Sequence, residues 1–313
     1  MSSKEEPTSV HGVVKELKKE GGTSFIKEYK DIFSNPNGSD KKDDKVVESP
    51  EAALDLLKSM IEEKKTSIKK DAKKRKFDFE TSPHEQFGKT LDDTFLAFLM
   101  WARVKQNETM INVSKAFRRV EQYADWMDDT GTDLIEPALS YESVKKGVDA
   151  WNMNSSYDSI DGSLIWWFDA GSLDRDYIKE NITPEDSLRA FVWYSHAILY
   201  NEQAQKHGLK FVCNMAKMGM ISMFTLMPAK LSAKLDRLTI GVLPIKMQAM
   251  YLLESPAWIN IFMGILGMFM SKKMKERIIN VKKWEEVNTI FDITTVPAKF
   301  GKVEGHLEKN VIG

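Results

Sequence analysis

One segment constrains this chain more than any other. Residues 257–270, AWINIFMGILGMFM, are apolar around almost their whole circumference. They are too few to cross a bilayer, which takes about 20 apolar residues in a helix, and an upstream extension meets Pro256 and Glu254. A helix on the surface of a globular domain normally turns a polar face to water. This one has only Asn260, Gly264 and Gly267 to offer. It is therefore either an ordinary buried core helix or a cover over something apolar that it can leave. The two glycines each lower helix stability by about 1 kcal/mol relative to alanine, which suits a segment that moves.

The rest of the chain supplies the setting. Its 313 residues suggest about two domains. Residues 1–48 are polar, with Asn-Pro-Asn-Gly-Ser-Asp at 35–40, and are expected to be a disordered extension. Residues 49–135 are expected to form a helical N-terminal domain. Ser49-Pro50-Glu51 starts one helix, whose far end is a basic run at 69–76, read as either a solvated face or a contact with anionic membrane. The apolar pattern from 91 to 127 reads as two packed helices joined near Gln106-Asn107-Glu108. Beyond residue 136 the grammar changes. Apolar runs at 164–168, 209–215 and 247–253 alternate with helical stretches at 184–207 and 228–241. That alternation predicts an α/β fold, a mainly parallel sheet covered by helices, over residues 136–305, with 306–313 as a tail.

No catalytic pattern emerges. The glycine-rich phosphate loops and the Gly-x-Ser-x-Gly elbow are missing, and the histidines at 11, 84, 196, 207 and 306 stand in no metal-binding spacing. Cys213, the single cysteine, lies in an apolar strand pattern and reads as a buried structural thiol. Asp169, at a strand end, has no partner base nearby in sequence. The expectation is a protein that is not an enzyme and needs no cofactor or metal. A net charge of −1 argues against nucleic acid as a partner, and the N-terminus carries no apolar secretory segment, so a cytoplasmic protein is expected.

Four features follow in order after residue 207: the turn and strand HGLKFVC, Leu243-Pro-Ile-Lys246 before the strand that ends at Glu254-Ser-Pro-Ala, the apolar segment, and Ser271-Lys-Lys-Met-Lys-Glu-Arg277-Ile-Ile. Val296-Pro-Ala-Lys-Phe-Gly301 closes the series, and Asp92-Asp-Thr-Phe-Leu-Ala-Phe-Leu-Met-Trp-Ala-Arg103 lies upstream. This order resembles the lipid-binding CRAL-TRIO family over about residues 88–305. Within it, the chain is most similar to the alpha-tocopherol transfer protein and cellular retinaldehyde-binding protein branch.

The resemblance implies a helical N-terminal part, then a domain enclosing an apolar ligand cavity with a helical gate. It implies a cavity lining of Leu188, Phe191, Val192 and Ser195 from one helix, Leu209 and Cys213 from a strand, and Leu235, Leu238, Leu243 and Ile245 from the next helix and its end. Met250, Ile259, Phe262, Ile265 and Leu266 complete it. Ser195 matches a serine near the ligand's polar end, though a helical serine equally often bonds its own backbone. Arg103, Lys246, Lys273 and Arg277 match positions that bind phosphoinositide headgroups, and a solvated charged face is the alternative. A fifth basic position is Gln248 here. Glu254-Ser-Pro stands for Asn-x-Pro, Asn214 for a strand-ending Asp, Gly267-Met268 for Lys-Pro and Gly301-Lys302 for Gly-Gly. Eleven of the 17 methionines fall between 215 and 274, and methionine adapts to irregular shapes. Together these point to a lipid other than tocopherol, or to a range of lipids.

The function expected is binding of a non-covalently held hydrophobic molecule (lipid, isoprenoid, retinoid or tocopherol-like) and its transfer between membranes by a monomer that docks transiently on anionic, phosphoinositide-containing surfaces. The alternative is a phosphoinositide-sensing adaptor that acts through protein partners.

Overall fold

The computed structural model describes residues 9–21, 44–69, 77, 79, 82–104, 107–136, 138–268 and 270–312. The helices are α1 (Val10–Gly21), α2 (Pro50–Lys69), α3 (Leu91–Trp101), α4 (Val113–Trp126), α5 (Thr132–Ile135), α6 (Tyr141–Ala150), α7 (Arg175–Asn181), α8 (Pro184–Leu199), α9 (Glu202–His207), α10 (Met220–Leu226), α11 (Ala229–Asp236), α12 (Ala257–Gly267), α13 (Lys272–Glu276) and α14 (Val287–Ile290). The strands are β1 (Val46–Val47), β2 (Arg103–Val104), β3 (Asn107–Asn112), β4 (Met153–Tyr157), β5 (Leu164–Asp169), β6 (Leu209–Asn214), β7 (Met247–Leu253) and β8 (Ile278–Val281).

The expected α/β architecture is present. β4 to β8 form one sheet in the order β4-β5-β6-β7-β8, with β4 antiparallel to β5 and the other pairs parallel. When parallel strands follow one another in space, right-handed crossovers place all the connecting helices on one face. The side chains divide accordingly. Trp166, Phe168, Cys213 and Leu252 join the core under the helices, while Ile165, Trp167, Val212 and Leu253 face a second cluster closed by Trp284, Phe291, Val296 and Phe300. Among the described residues, no helix is long and apolar enough to cross a membrane.

Four local readings need correction. The join between the helices at 91 to 127 is a β-hairpin: β2 pairs with β3, and β3 with β1. The β-branched Thr109 and Ile111 favour extended backbone there, and Asn107 Oδ1 accepts the Thr109 amide at 3.2 Å. The helix read over 184–207 breaks at Tyr200, where Asn201 caps α9 by accepting the Ala204 amide. The helix read over 228–241 turns at Arg237 into a π-helix that runs to Val242. Within the stretch expected to be disordered, α1 is a helix whose Val13 is fully buried and which packs against α11 and α12. Valines at 10, 13 and 14 give it one apolar stripe, and burial of that stripe offsets the polar composition. Residues 1–8, 22–43 and the basic run at 70–76 lie outside the described residues.

Candidate functional site

The residues that the resemblance assigns to a cavity lie in or against the core cluster on the helix-covered face of the sheet. α8 starts where Thr183 accepts the Asp186 amide at 3.0 Å, with Pro184 at its first position. It then presents Leu188, Phe191 and Val192 to the core. Leu209 and Cys213 come from β6, Leu238 from the π-helix, Leu243 from the segment after it, and Ile259 and Ile265 from α12; all are buried in the same cluster. Leu235, Ile245, Met250 and Phe262 pack against it and are half-buried. Leu266 lies outside the residues whose side chains are described. Ser195 is fully buried, and its hydroxyl donates to the Phe191 carbonyl at 2.7 Å, within its own helix.

Sequence reasoning missed the aromatic floor beneath α8. Trp166 meets Tyr194, Phe211 and Phe191 at ring distances of 5.1, 5.1 and 6.1 Å. Phe168 adds contacts to Phe191 at 5.9 Å and Phe211 at 6.2 Å. The signal lay in LIWWFD itself, where every second residue of a two-faced strand goes to the same side.

α12 lies along this face. Trp258 Nε1 donates to the Met218 carbonyl at 2.9 Å, and the indole packs near Phe224 and Phe262. At its far end Met268 is 71% exposed. A β-carbon built on Gly264 would meet nothing within 4 Å, so that face of the helix looks onto open space. The residue just before the α12 entry, Glu254, has a positive φ of 43°, a conformation that strains a non-glycine side chain. Its carboxylate pairs with the Lys302 ammonium, which also lies 5.9 Å from the centre of the Trp284 ring. The Lys302 bond holds the Glu254 carboxyl below its usual range. Two departures from the family motifs, 48 residues apart, thus meet as one ion pair. The pair is partly exposed, so a Glu254→Gln/Lys302→Met double-mutant cycle in urea should give a coupling of about 0.5–1 kcal/mol. A coupling of zero would mean that the two residues do not hold the α12 entry together.

Of the basic positions, Lys246 is exposed just before β7 and Arg277 is half-buried just before β8. These strands are paired, and the Arg277 carbonyl accepts the Met250 amide at 2.8 Å, so both cations stand at the same end of the sheet. Lys273, exposed on α13, is one helical turn from Arg277. Arg103 is half-buried on β2, in the smaller sheet. Gln248 does structural work: its amide donates to the His207 carbonyl at 2.6 Å.

The groups that could suggest catalysis are tied up. Asp169 is buried and accepts from Ser172 N at 3.2 Å, Asn214 Nδ2 at 2.5 Å and Gly301 N at 2.7 Å, which fastens the ends of β5 and β6 to the C-terminal segment. Burial, with the Asp169 charge behind it, pushes the Cys213 thiol up, so it stays protonated and unreactive. A surface depression of about 410 Å³, of mixed polar and apolar lining, lies elsewhere, between Lys146, Asp149, Asn152, Leu173, Asp174 and Tyr177, and none of the expected lining borders it.

Residues 156–301 match the model of the CRAL/TRIO domain. Among solved structures, the chain is similar to the crystal structure of Sfh5, at 12% identity and a TM-score of 0.47, with 87% of this chain and 91% of that one covered. No curated protein matches the chain.

Proposed function

We propose that this chain uses its CRAL/TRIO domain to bind a hydrophobic small molecule and to carry it between membranes. One observation supports this above the others. Phe211 and Met250 belong to central strands, paired on both sides and overlaid by helices, yet each keeps accessible surface, as do Ile245 and Phe262 facing the same cluster. A core without a guest would close on such positions. About 400 Å² of apolar ligand area buried there is worth on the order of 10 kcal/mol, enough to hold a lipid in water and too much to release it unless an apolar surface receives it.

In this reading α12 is the gate. Its apolar residues rest on the guest when shut and on acyl chains when open, with Met268 as the leading edge. Lys246, Lys273, Arg277 and Arg103 address the anionic, phosphoinositide-bearing surface. Buried Met215, Met218, Met220 and Met227 beside the gate let the cluster adapt to an isoprenoid, a retinoid or a tocopherol-like ring. The protein works by binding, as a cytoplasmic monomer that visits membranes, and requires no cofactor.

Native mass spectrometry of the full chain tests this first, followed by transfer of a fluorescent tocopherol analogue between neutral vesicles and vesicles carrying phosphatidylinositol 4,5-bisphosphate. A bound lipid mass is expected, with transfer faster toward the anionic vesicles. A bare protein mass together with no uptake of the analogue would end the proposal. Transfer that ignores vesicle charge would remove the headgroup role while leaving the carrier.

A further inference from the structure

Two polar atoms on the floor of this face have no partner. The Trp166 indole N–H and the Tyr194 hydroxyl are both buried and unpaired, and their rings lie 5.1 Å apart at 33°. A buried donor without an acceptor carries a desolvation penalty that native structures rarely leave standing. The nearby hydroxyls leave the Trp166 indole N–H without an acceptor. Ser155, opposite Trp166 in the β4–β5 register, lies beside the Tyr194 hydroxyl and counters only a small part of the effect of its burial, and its own proton goes to Asn310 Oδ1 at 2.7 Å. Ser195, the residue matched by sequence, is spent on its own helix. The other orphaned indoles stand elsewhere, Trp126 among the N-terminal helices and Trp284 on the opposite face of the sheet.

The pair is also placed to meet a guest. Trp166 packs edge-on against Phe211, the half-buried residue on which the carrier reading rests. The side chains that β5 and β6 send to this face are uncharged. Lys210, the cation of β6, points to the other side, where it pairs with Asp158 and with Asp161 at 2.9 Å. An indole N–H only donates, whereas a phenol both donates and accepts. In a face without charges, an ionic head would have to be desolvated with no counter-ion.

We propose that Trp166 Nε1 and Tyr194 Oη form the polar subsite of the bound molecule, and that the group they hold is an uncharged oxygen: an alcohol, ether, ester or ketone at one end of an apolar body. This rests on the carrier reading and narrows it. The guest's oxygen accepts from Trp166, and Tyr194 donates to it or accepts its hydroxyl proton. Anionic lipids are then recognised by their headgroups outside this pocket.

The test uses the full chain with three probes of one chain length: hexadecane, hexadecan-1-ol and hexadecanoate, with retention measured by equilibrium partition from vesicles. The alcohol should be held about five- to tenfold more tightly than the alkane, as one or two neutral hydrogen bonds require, and the carboxylate no more tightly than the alkane. Trp166→Phe and Tyr194→Phe keep the rings and remove one polar atom each. Either should bring the alcohol preference to within about twofold while alkane retention stays unchanged. Thermal unfolding of both empty variants should be no lower than wild type, since each loses a buried orphan. Equal alkane and alcohol binding in all three proteins would overturn the subsite and leave the carrier standing. A preference for the carboxylate would overturn its neutrality, and no binding of any probe would overturn the subsite and the carrier reading together.

Discussion

Replacement of Arg119 by methionine should cost this protein about 3–5 kcal/mol of stability, more than any other single substitution expected here. Arg119 stands on α4, only 3% exposed, and its guanidinium donates to the carbonyls of Gly241, of Ile240 at 2.9 Å and of Leu243 at 3.0 Å. Ile240 and Gly241 lie in the last turn of the π-helix and Leu243 follows it, where a helix end leaves carbonyls without an intrahelical donor. The guanidinium also lies 5.1 Å from the centre of the Trp101 ring. Burial lowers its pKa to about 9, still well above neutrality, so the charge persists and is answered by carbonyl dipoles. Methionine fills the volume but takes the donors from the Ile240 and Gly241 carbonyls, while Leu243 keeps the Ile245 amide at 2.8 Å. Lysine restores a charge but not the planar fork, and should recover less than half of the loss. Urea denaturation of Arg119→Met and Arg119→Lys measures both. A methionine variant within 1 kcal/mol of wild type would refute the assignment. The π-helix carries Leu238 and leads into Leu243 and Ile245, so retention of a bound alkane should fall in the same order as stability.

Arg119 also shows where the sequence could be read and where it could not. The residues at 113, 116, 120 and 123 write the buried stripe of α4 plainly, and Arg119 sits inside that stripe, between Ala116 and Tyr123. A cation in such a position signals a specific acceptor, but the acceptor lies more than 120 residues away and no local pattern names it. The strands β5 to β7 were legible because a strand buried on both faces must be apolar along its whole length. β4 was not. Met153–Tyr157 contains two serines that are buried only because Asn310 and the Thr295 carbonyl answer them from the far end of the chain. The same limit applies to the site. The resemblance, not periodicity, named the lining residues, and what the folded chain adds is that those described gather in or against one cluster. Glu254 and Lys302 each read as a departure from a motif, and only the folded chain brings them together as a pair. Trp166 and Tyr194 carry no signal beyond their apolar surroundings, because an unpaired donor is a property of the packed state.

Acid should loosen α8 through His196, and this is the second large effect. The imidazole is fully buried: Nδ1 bonds the Val192 carbonyl at 2.8 Å, Nε2 meets the Tyr123 hydroxyl at 3.0 Å, and the rings of Tyr123 and Trp126 close around it. Ser82 lies beyond, 3.4 Å from the same hydroxyl. Burial lowers the His196 pKa to about 4, against 6.5 for a free side chain, with the Val192 bond opposing it only in part. The folded state therefore refuses a proton that the unfolded chain accepts. Stability from this residue is complete above pH 6.5, falls as the pH drops toward 4, and does not fall further below that, for a total of about 3 kcal/mol. The carboxylates act lower. Asp93, Asp161, Glu254 and Asp292 all have lowered pKa values, so their contributions are present above the ordinary carboxylate range and are lost only as the pH falls below about 4.5. The interval from 6.5 to 4.5 thus belongs largely to His196. In urea unfolding across that interval, wild type should lose stability steadily and His196→Gln should lose little, whatever its starting value. Parallel curves would show that His196 is not the group that titrates. His196 follows Ser195 on α8 and turns to the N-terminal helices while Leu188 and Phe191 turn to the apolar floor, so a proton there works on the joint between the two halves of the chain. Retention of a bound alkane should weaken over the same two pH units and recover on neutralisation.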